Sequence, residues 1–157
     1  MKPKYFERFI ALDLTLASAE SITGGQFAAS ITAYAGASQF YLGGTVVYND
    51  DIKHRILHVS KSDLKRYKAI SKEVALQLAN HTLKTFQSDV AIAFVGNAGP
   101  TAQDQQPVGK CFMAIVSKEM RFIYEDNLGG DRNSIQTQCV ALADQRLNKY
   151  LDHKEAT

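Results

Sequence analysis

The sequence predicts an α/β protein, a three-layer α/β/α sandwich around a mixed, mostly parallel sheet. Three observations predict it. Apolar runs of strand length alternate along the chain with segments of helical period, the pattern of successive βα units. The run Val90-Ala91-Ile92-Ala93-Phe94-Val95 is apolar without a break, as a central strand covered on both faces must be. Two later runs are joined by a tight turn, which adds antiparallel pairing. The 157 residues are expected to form one domain, 1–157, long enough to bury a core without a metal or a disulfide.

Residues 2–12 read as a short helix with Phe6, Phe9, Ile10 and Leu12 as its apolar side. The apolar run 14–18 reads as a buried strand. Small and polar residues follow it, Ala19-Glu20-Ser21-Ile22-Thr23-Gly24-Gly25, and then a helix over 24–34 with Phe27 and Ile31 one turn apart. Gly36 is the expected C-cap of that helix. Gly43-Gly44 precede a strand over 45–48, read from its β-branched content. Asp50 and Asp51 open the next helix, where their charges suit its positive end, with Lys53 in the first turn. A short helix is expected over 61–68. Ser71 then caps a longer one, whose Ala75, Leu78, Ala79, Thr82, Leu83 and Phe86 recur at the helical period. Gly96-Asn97-Ala98-Gly99-Pro100 ends the central strand and opens a polar loop through Gln106. Strands are expected over 111–116 and 121–124. The last helix is placed at 133–151, buried through Val140, Ala143, Leu147, Tyr150 and Leu151, with the last six residues frayed.

Composition narrows the function. Net charge is +2, and the one basic run, 61–68, is interrupted by Asp63 and Leu64. That is a solvated helix face rather than the stripe of a nucleic-acid binder. No apolar stretch approaches the length of a bilayer span, and residues 1–8 lack the apolar core of a signal peptide. Cys111 and Cys139 sit among apolar residues without CxxC or Cys/His ligand spacing. Free thiols in a reducing, cytoplasmic compartment are expected, with no metal site and no membrane contact.

In such sheets ligands collect beyond the carboxyl ends of the strands. The loops after residues 18, 48 and 95 are therefore the candidates. Ser21 has two readings: a nucleophile beside the backbone N–H groups of 22–25, or, like Thr23, a helix cap. No Ser/His/Asp grouping is evident, since His54, His58 and His81 fall on helices. A lysine serves as base when burial disfavours its charged form. Lys53 is the candidate, its alternative being an exposed lysine. Tyr48 either orients that lysine or is an ordinary strand aromatic. Gly96 to Pro100 either wall a pocket with amides or simply turn. Arg132 either clamps a phosphate or lies on the surface behind an Asp131 cap.

Together these motifs resemble the CinA C-terminal domain family, whose stand-alone members include nicotinamide-nucleotide amidase. The resemblance spans about Phe6 to Tyr150. Its AES-C-TGG signature is similar to Ala19-Glu20-Ser21-Ile22-Thr23-Gly24-Gly25, and its Gly-(Ala/Ser)-Ser segment to Gly36-Ala37-Ser38. Its GG-V-V-x-Y-x-N-x-x-K stretch resembles Gly43 through Lys53. Its GIAGP…PVG loop resembles Gly96-Asn97-Ala98-Gly99-Pro100 with Pro107-Val108-Gly109, and its GDR is similar to Gly130-Asp131-Arg132. The resemblance implies a Ser-Lys amidohydrolase that converts nicotinamide mononucleotide to nicotinic acid mononucleotide and ammonia, a step of pyridine nucleotide salvage. Ser21 would be the nucleophile, Lys53 its base and Tyr48 an assistant. Glu20, Thr23, Gly24, Gly25, Gly99 and Arg132 would surround the substrate. It further implies a nucleotide substrate, no cofactor and a homo-oligomer. The chain departs from the pattern at Ile22, Asp50, Asn97, the glycine-free segment 101–106 and Lys110. These departures are expected to cluster on the pocket. A carboxylate at Asp50 would disfavour a nearby phosphate and raise the pKa of Lys53. The alternative implied is a relative that binds a nucleotide or a partner with lost or altered activity.

Overall fold

Five strands, β1 (Leu16–Glu20), β2 (Tyr41–Val46), β3 (Val90–Gly96), β4 (Lys110–Ser117) and β5 (Arg121–Asn127), form one sheet in the order β2-β1-β3-β4-β5, in a computed structural model describing residues 1–157. β1 pairs parallel with β2 and β3, β3 pairs antiparallel with β4, and β4 antiparallel with β5. Four strands thus run one way and β4 alone is reversed, which is how a largely co-directional sheet comes to hold two antiparallel pairings.

Six helices cover the faces: α1 (Lys4–Ala11), α2 (Gln26–Thr32), α3 (Asp50–Leu57), α4 (Lys61–Tyr67), α5 (Lys72–Phe86) and α6 (Arg132–Ala156). The alternation of β3 builds two cores from one strand. Val90, Ile92 and Phe94 face the larger core, with Tyr5, Phe6, Phe9, Phe27 and Ile31 of α1 and α2 and Ile135 and Leu147 of α6. Ala91, Ala93 and Val95 face the other, with Leu57, Val74, Ala75, Leu78 and Ala79 of α3 and α5. Alanines on that face let α5 lie close to the sheet. The opposite face is wider and filled by aromatics, with the Phe6 and Phe40 rings edge to face at 4.8 Å.

Several boundaries differ from those expected, each for a local reason. β1 runs through Glu20 rather than stopping at 18, because both neighbours continue: Glu20 stands opposite Val46 and Phe94. β2 begins at Tyr41 and contains Gly43 and Gly44 instead of following them, and it ends at Val46, so Tyr48 lies in a loop. The glycines belong inside because β1 crowds them. A Cβ on Gly44 would stand 2.3 Å from Ser18 Oγ and 2.7 Å from the Tyr41 hydroxyl. Those two hydroxyls share a buried hydrogen bond of 2.6 Å, and burial pushes the Tyr41 phenol up to about 12. Gly44→Ala is therefore expected to destabilise the protein by about 1–3 kcal/mol, read as a lowered denaturation midpoint.

Gly36 does not cap α2. It has φ +94° and leads into a single 3₁₀ turn, Ala37–Gln39. The C-terminus does not fray at 151: α6 continues through Ala156, where Arg8 of α1 reaches Asp152 at 2.9 Å and Glu155 at 3.4 Å. Cys111 and Cys139 are buried and free, their sulfurs 3.6 Å apart. No helix is long and apolar enough to cross a membrane.

Candidate functional site

The loops after β1, β2 and β3 meet at one edge of the sheet around a cavity of about 70 Å³. Ser21 and Ile22 come from the first loop, and Tyr48, Asp50 and Lys53 from the second loop and the start of α3. Gly96, Ala98 and Gln103 come from the third, and Arg132 from the first residue of α6. Ser21, Lys53, Tyr48 and Arg132, singled out in the sequence on separate grounds, are thus on one wall system.

Ser21 is the first residue past β1. Its N–H donates to Phe94 O at 3.0 Å, extending the ladder by one bond, and its carbonyl accepts from Gly24 N at 3.1 Å. The chain reverses through Gly24 (φ +56°) and Gly25 (φ +101°), backbone that glycine adopts without strain. Ser21 is left 8% exposed, at the cavity wall.

Lys53 reaches the cavity because of how α3 starts. Asn49 is its N-cap, its side chain accepting from Asp51 N at 2.8 Å. One turn later Lys53 points inward and is 1% exposed. Its Nζ donates to the Tyr48 carbonyl at 3.1 Å and lies 3.5 Å from Asp50 Oδ1. Burial lowers its pKa below the ordinary 10.5, while Asp50 and, more weakly, Asp104 push it back up. The exposed-lysine alternative is thereby removed.

The residues around Ser21 behave differently from expectation. Glu20 is not on the cavity wall. It is 1% exposed, and its carboxylate accepts from Phe27 N at 2.8 Å and Ala28 N at 3.1 Å. It is the anion at the start of α2, so that helix end is occupied by the protein's own charge and not available to a ligand. For the same reason neither Ser21 nor Thr23 caps α2. Thr23, Gly24, Gly25 and Gly99 also stand back from the cavity. The Gly24 amide is engaged within the turn, and the Thr23 hydroxyl is buried without a partner.

Arg132 joins the second and third loops. Its Nη2 donates to the Gly99 carbonyl at 2.7 Å and its Nη1 to the Tyr48 hydroxyl at 3.4 Å. Asp131 caps α6, accepting from Ser134 N at 2.9 Å, as one of the two sequence readings expected. Gln136 of α6 donates to Ile22 O at 2.9 Å and ties the helix to the first loop.

The departures from the family pattern do not all fall on the cavity. Ile22 and Asp50 do, as does Gln103 from the glycine-free segment. Asn97 stands behind it as a brace: buried, it donates to Thr101 O at 2.9 Å and Gln106 O at 3.2 Å and accepts from Gly99 N at 2.9 Å. Lys110 is outside, paired with Glu125 and 3.4 Å from Asn127 Oδ1 on β5. Sequence reasoning did not single out Gln103. The signal for it was its place in the polar loop that follows the central strand.

The family profile described as the CinA C-terminal domain matches residues 1–151. A competence-damage inducible protein of Bacillus subtilis (strain 168) is 36% identical over 141 residues, 90% of this chain and 34% of that protein. One of Bacillus mycoides (strain KBAB4) is 38% identical over 140 residues, 88% of this chain and 34% of the relative. The chain spans about a third of the length of these curated relatives. Among solved structures, competence damage-inducible protein A from Klebsiella pneumoniae superposes with a TM-score of 0.91 at 29% identity, covering 94% of this chain and 92% of that one. A CinA superfamily protein from Escherichia coli gives 0.88 at 32% identity, covering 93% and 87%. The sheet order, the cavity-forming loops and these matches lead to one assignment: the chain belongs to the CinA C-terminal domain family.

Proposed function

We propose that this chain is an amidohydrolase in which Ser21 and Lys53 remove ammonia from the carboxamide of nicotinamide mononucleotide, leaving nicotinic acid mononucleotide. The observation that carries the reading is Lys53. A lysine 1% exposed, with burial lowering its pKa, shares a cavity with a serine at a strand end. Burying an ammonium is costly, and the usual return on that cost is an amine able to act as a base.

In this reading neutral Lys53 takes the Ser21 proton as Oγ attacks the carboxamide carbon. The oxyanion that forms is stabilised by the new ammonium. Lys53 then passes its proton to the departing amine, and ammonia leaves. Water, activated by the same lysine, cleaves the acyl-serine ester and regenerates the hydroxyl. Ligand sites for whole small molecules run to roughly 300 Å³ or more. The cavity of about 70 Å³ therefore suits the carboxamide end of the substrate, with the ribose and phosphate lying outward over Tyr48 and Arg132.

Asp50 favours a second reading. Its carboxylate, 3.5 Å from Lys53 Nζ, favours the charged lysine and so opposes general-base chemistry. A protein that binds the nucleotide without turning it over would tolerate this. Ammonia release from nicotinamide mononucleotide, measured at high protein concentration for the parent and Ser21→Ala, separates the two. Release by the parent alone supports the amidase. Release by neither protein ends it, and binding without release then supports the second reading.

A further inference from the structure

Behind the cavity lie two thiols that hydrolysis of a carboxamide does not use. Gly96, on the cavity wall, stands opposite Cys111 in the β3–β4 pairing. A Cβ at Gly96 would lie 2.7 Å from Ile22 Cδ1 and 2.9 Å from Cys111 Sγ, so Ile22 and Cys111 share the space above that glycine. Ile22 is the residue next to Ser21. Cys139 of α6 completes the group: its Sγ donates to Cys111 Sγ at 3.6 Å, and Cys111 Sγ donates to Gly109 O at 3.4 Å. Both thiols are buried, with Ile22, Phe94 and Leu142 around them in a narrow apolar crevice. Two sulfurs from distant parts of the chain are thus in direct contact. A disulfide needs them about 2.05 Å apart, so a closing movement of about 1.5 Å separates contact from bond.

We propose that Cys111 and Cys139 form a dithiol switch: a peroxide joins them in a disulfide that draws α6 against β4 and lowers turnover at the cavity, the loss of turnover resting on the amidase reading. One sulfur attacks the peroxide O–O bond, giving a sulfenic acid and one water. The other sulfur attacks the sulfenic sulfur, forming the S–S bond and releasing a second water. The two thiols give up two electrons and two protons, and the peroxide is reduced to water. The hydrogen bond with Cys139 and burial push the Cys111 thiol up, which keeps it protonated and the pair reduced until the oxidant is sustained. Named contacts carry the change to the site. Cys139 lies one turn beyond Gln136, which donates to Ile22 O at 2.9 Å. It lies two turns beyond Arg132, which donates to Gly99 O at 2.7 Å. Drawing the sulfurs together shifts both anchors and moves Cys111 Sγ away from Ile22. A displacement of this order beside a nucleophile costs rate steeply.

The test treats the whole chain with hydrogen peroxide. Intact mass and peptide mapping read the link, ammonia release from nicotinamide mononucleotide reads turnover, and backbone amide shifts by NMR read the site independently of activity. Loss of two hydrogens in a Cys111–Cys139 link is expected, with kcat lowered about tenfold and the amides of Ile22, Gly96 and Gln136 shifted. Dithiothreitol is expected to reverse all three, which oxidation of a methionine would not allow. Cys139→Ala, or Cys111→Ala should the first fail to fold, is expected to lose the link and the reversible inhibition together. Thiols that survive the treatment, or oxygen adducts in place of the link, overturn the proposal. So does a link that leaves turnover and these amides unchanged. A reduced protein that releases no ammonia, yet shows the link and the shifts on oxidation, keeps the switch and removes the amidase. Release that continues unchanged in the linked protein keeps the amidase and removes the switch.

Discussion

Ser21→Ala and Lys53→Met are each expected to lower ammonia release about a thousandfold or more, in kcat rather than in KM, because nucleophile and base act as one unit. The double variant should be no worse than either single one, since removing the second partner of a broken pair costs little more. Lys53→Met also carries a stability signature that separates a base from a structural lysine. Methionine has similar length and no charge to desolvate, while Asp50, left without its partner, is 57% exposed and stays hydrated. Melting temperature near neutral pH is therefore expected to hold or rise while activity collapses. The pH dependence follows from the lowered lysine pKa. Between that pKa and the ordinary 10.5 the unfolded chain binds a proton that the folded chain does not. Lys53 is thus a full burden on stability below its folded pKa, and the burden is lifted as pH rises toward 10.5. The parent should gain stability across that window relative to Lys53→Met. A Met variant that keeps the parent's rate, or melts far below it, would show that the lysine is there for packing.

How much of this was visible in the sequence depends on which force sets each feature. The central strand was legible because Val90 to Val95 must be apolar on both faces, and α5 because its period is long and its Ser71 cap is real, accepting from Val74 N at 3.2 Å. The convergence of Ser21, Tyr48 and Lys53 was legible from topology, since strand ends carry the ligand loops; Arg132, at the start of the last helix, lay outside that argument. What was not legible depended on atoms distant in sequence. Gly43-Gly44 looked like a break before a strand because nothing local reveals that Ser18 Oγ will occupy the space of a side chain at Gly44. Gly36 looked like a cap because its conformation is one a cap would have, but the helix had already ended at Thr32. The end of α6 looked frayed because its partner, Arg8, is 144 residues from Asp152. Asn97 looked like a pocket substitution because it lies in the loop motif, whereas its three hydrogen bonds point back into the loop and hold its path.

Glu20 is the sharpest case of this kind, and it yields the largest expected change in stability. The family resemblance implies a substrate contact for it; in the fold its two oxygens accept from Phe27 N and Ala28 N of α2. Glu20→Ala is expected to destabilise the protein by about 2–4 kcal/mol, since it strands two N–H donors and removes a charge from the positive end of a helix. At about 2–4 °C per kcal/mol for a chain of this size, that is a drop of several degrees in melting temperature. Glu20→Gln should lose less, because one oxygen remains to accept. The consequence for the site follows from connectivity. α2 begins one residue after the Gly24-Gly25 reversal that sets the direction of the turn carrying Ser21, so loosening that helix end should lower kcat through a misplaced hydroxyl. KM for nicotinamide mononucleotide should change little in Glu20→Gln, as the carboxylate does not line the cavity. A large rise in KM with an unchanged melting temperature would return Glu20 to the substrate. The opposite outcome makes the acid next to the serine what the geometry describes, an internal anion that keeps the nucleophile's turn anchored and leaves the cavity to Ser21, Lys53 and the groups at its mouth.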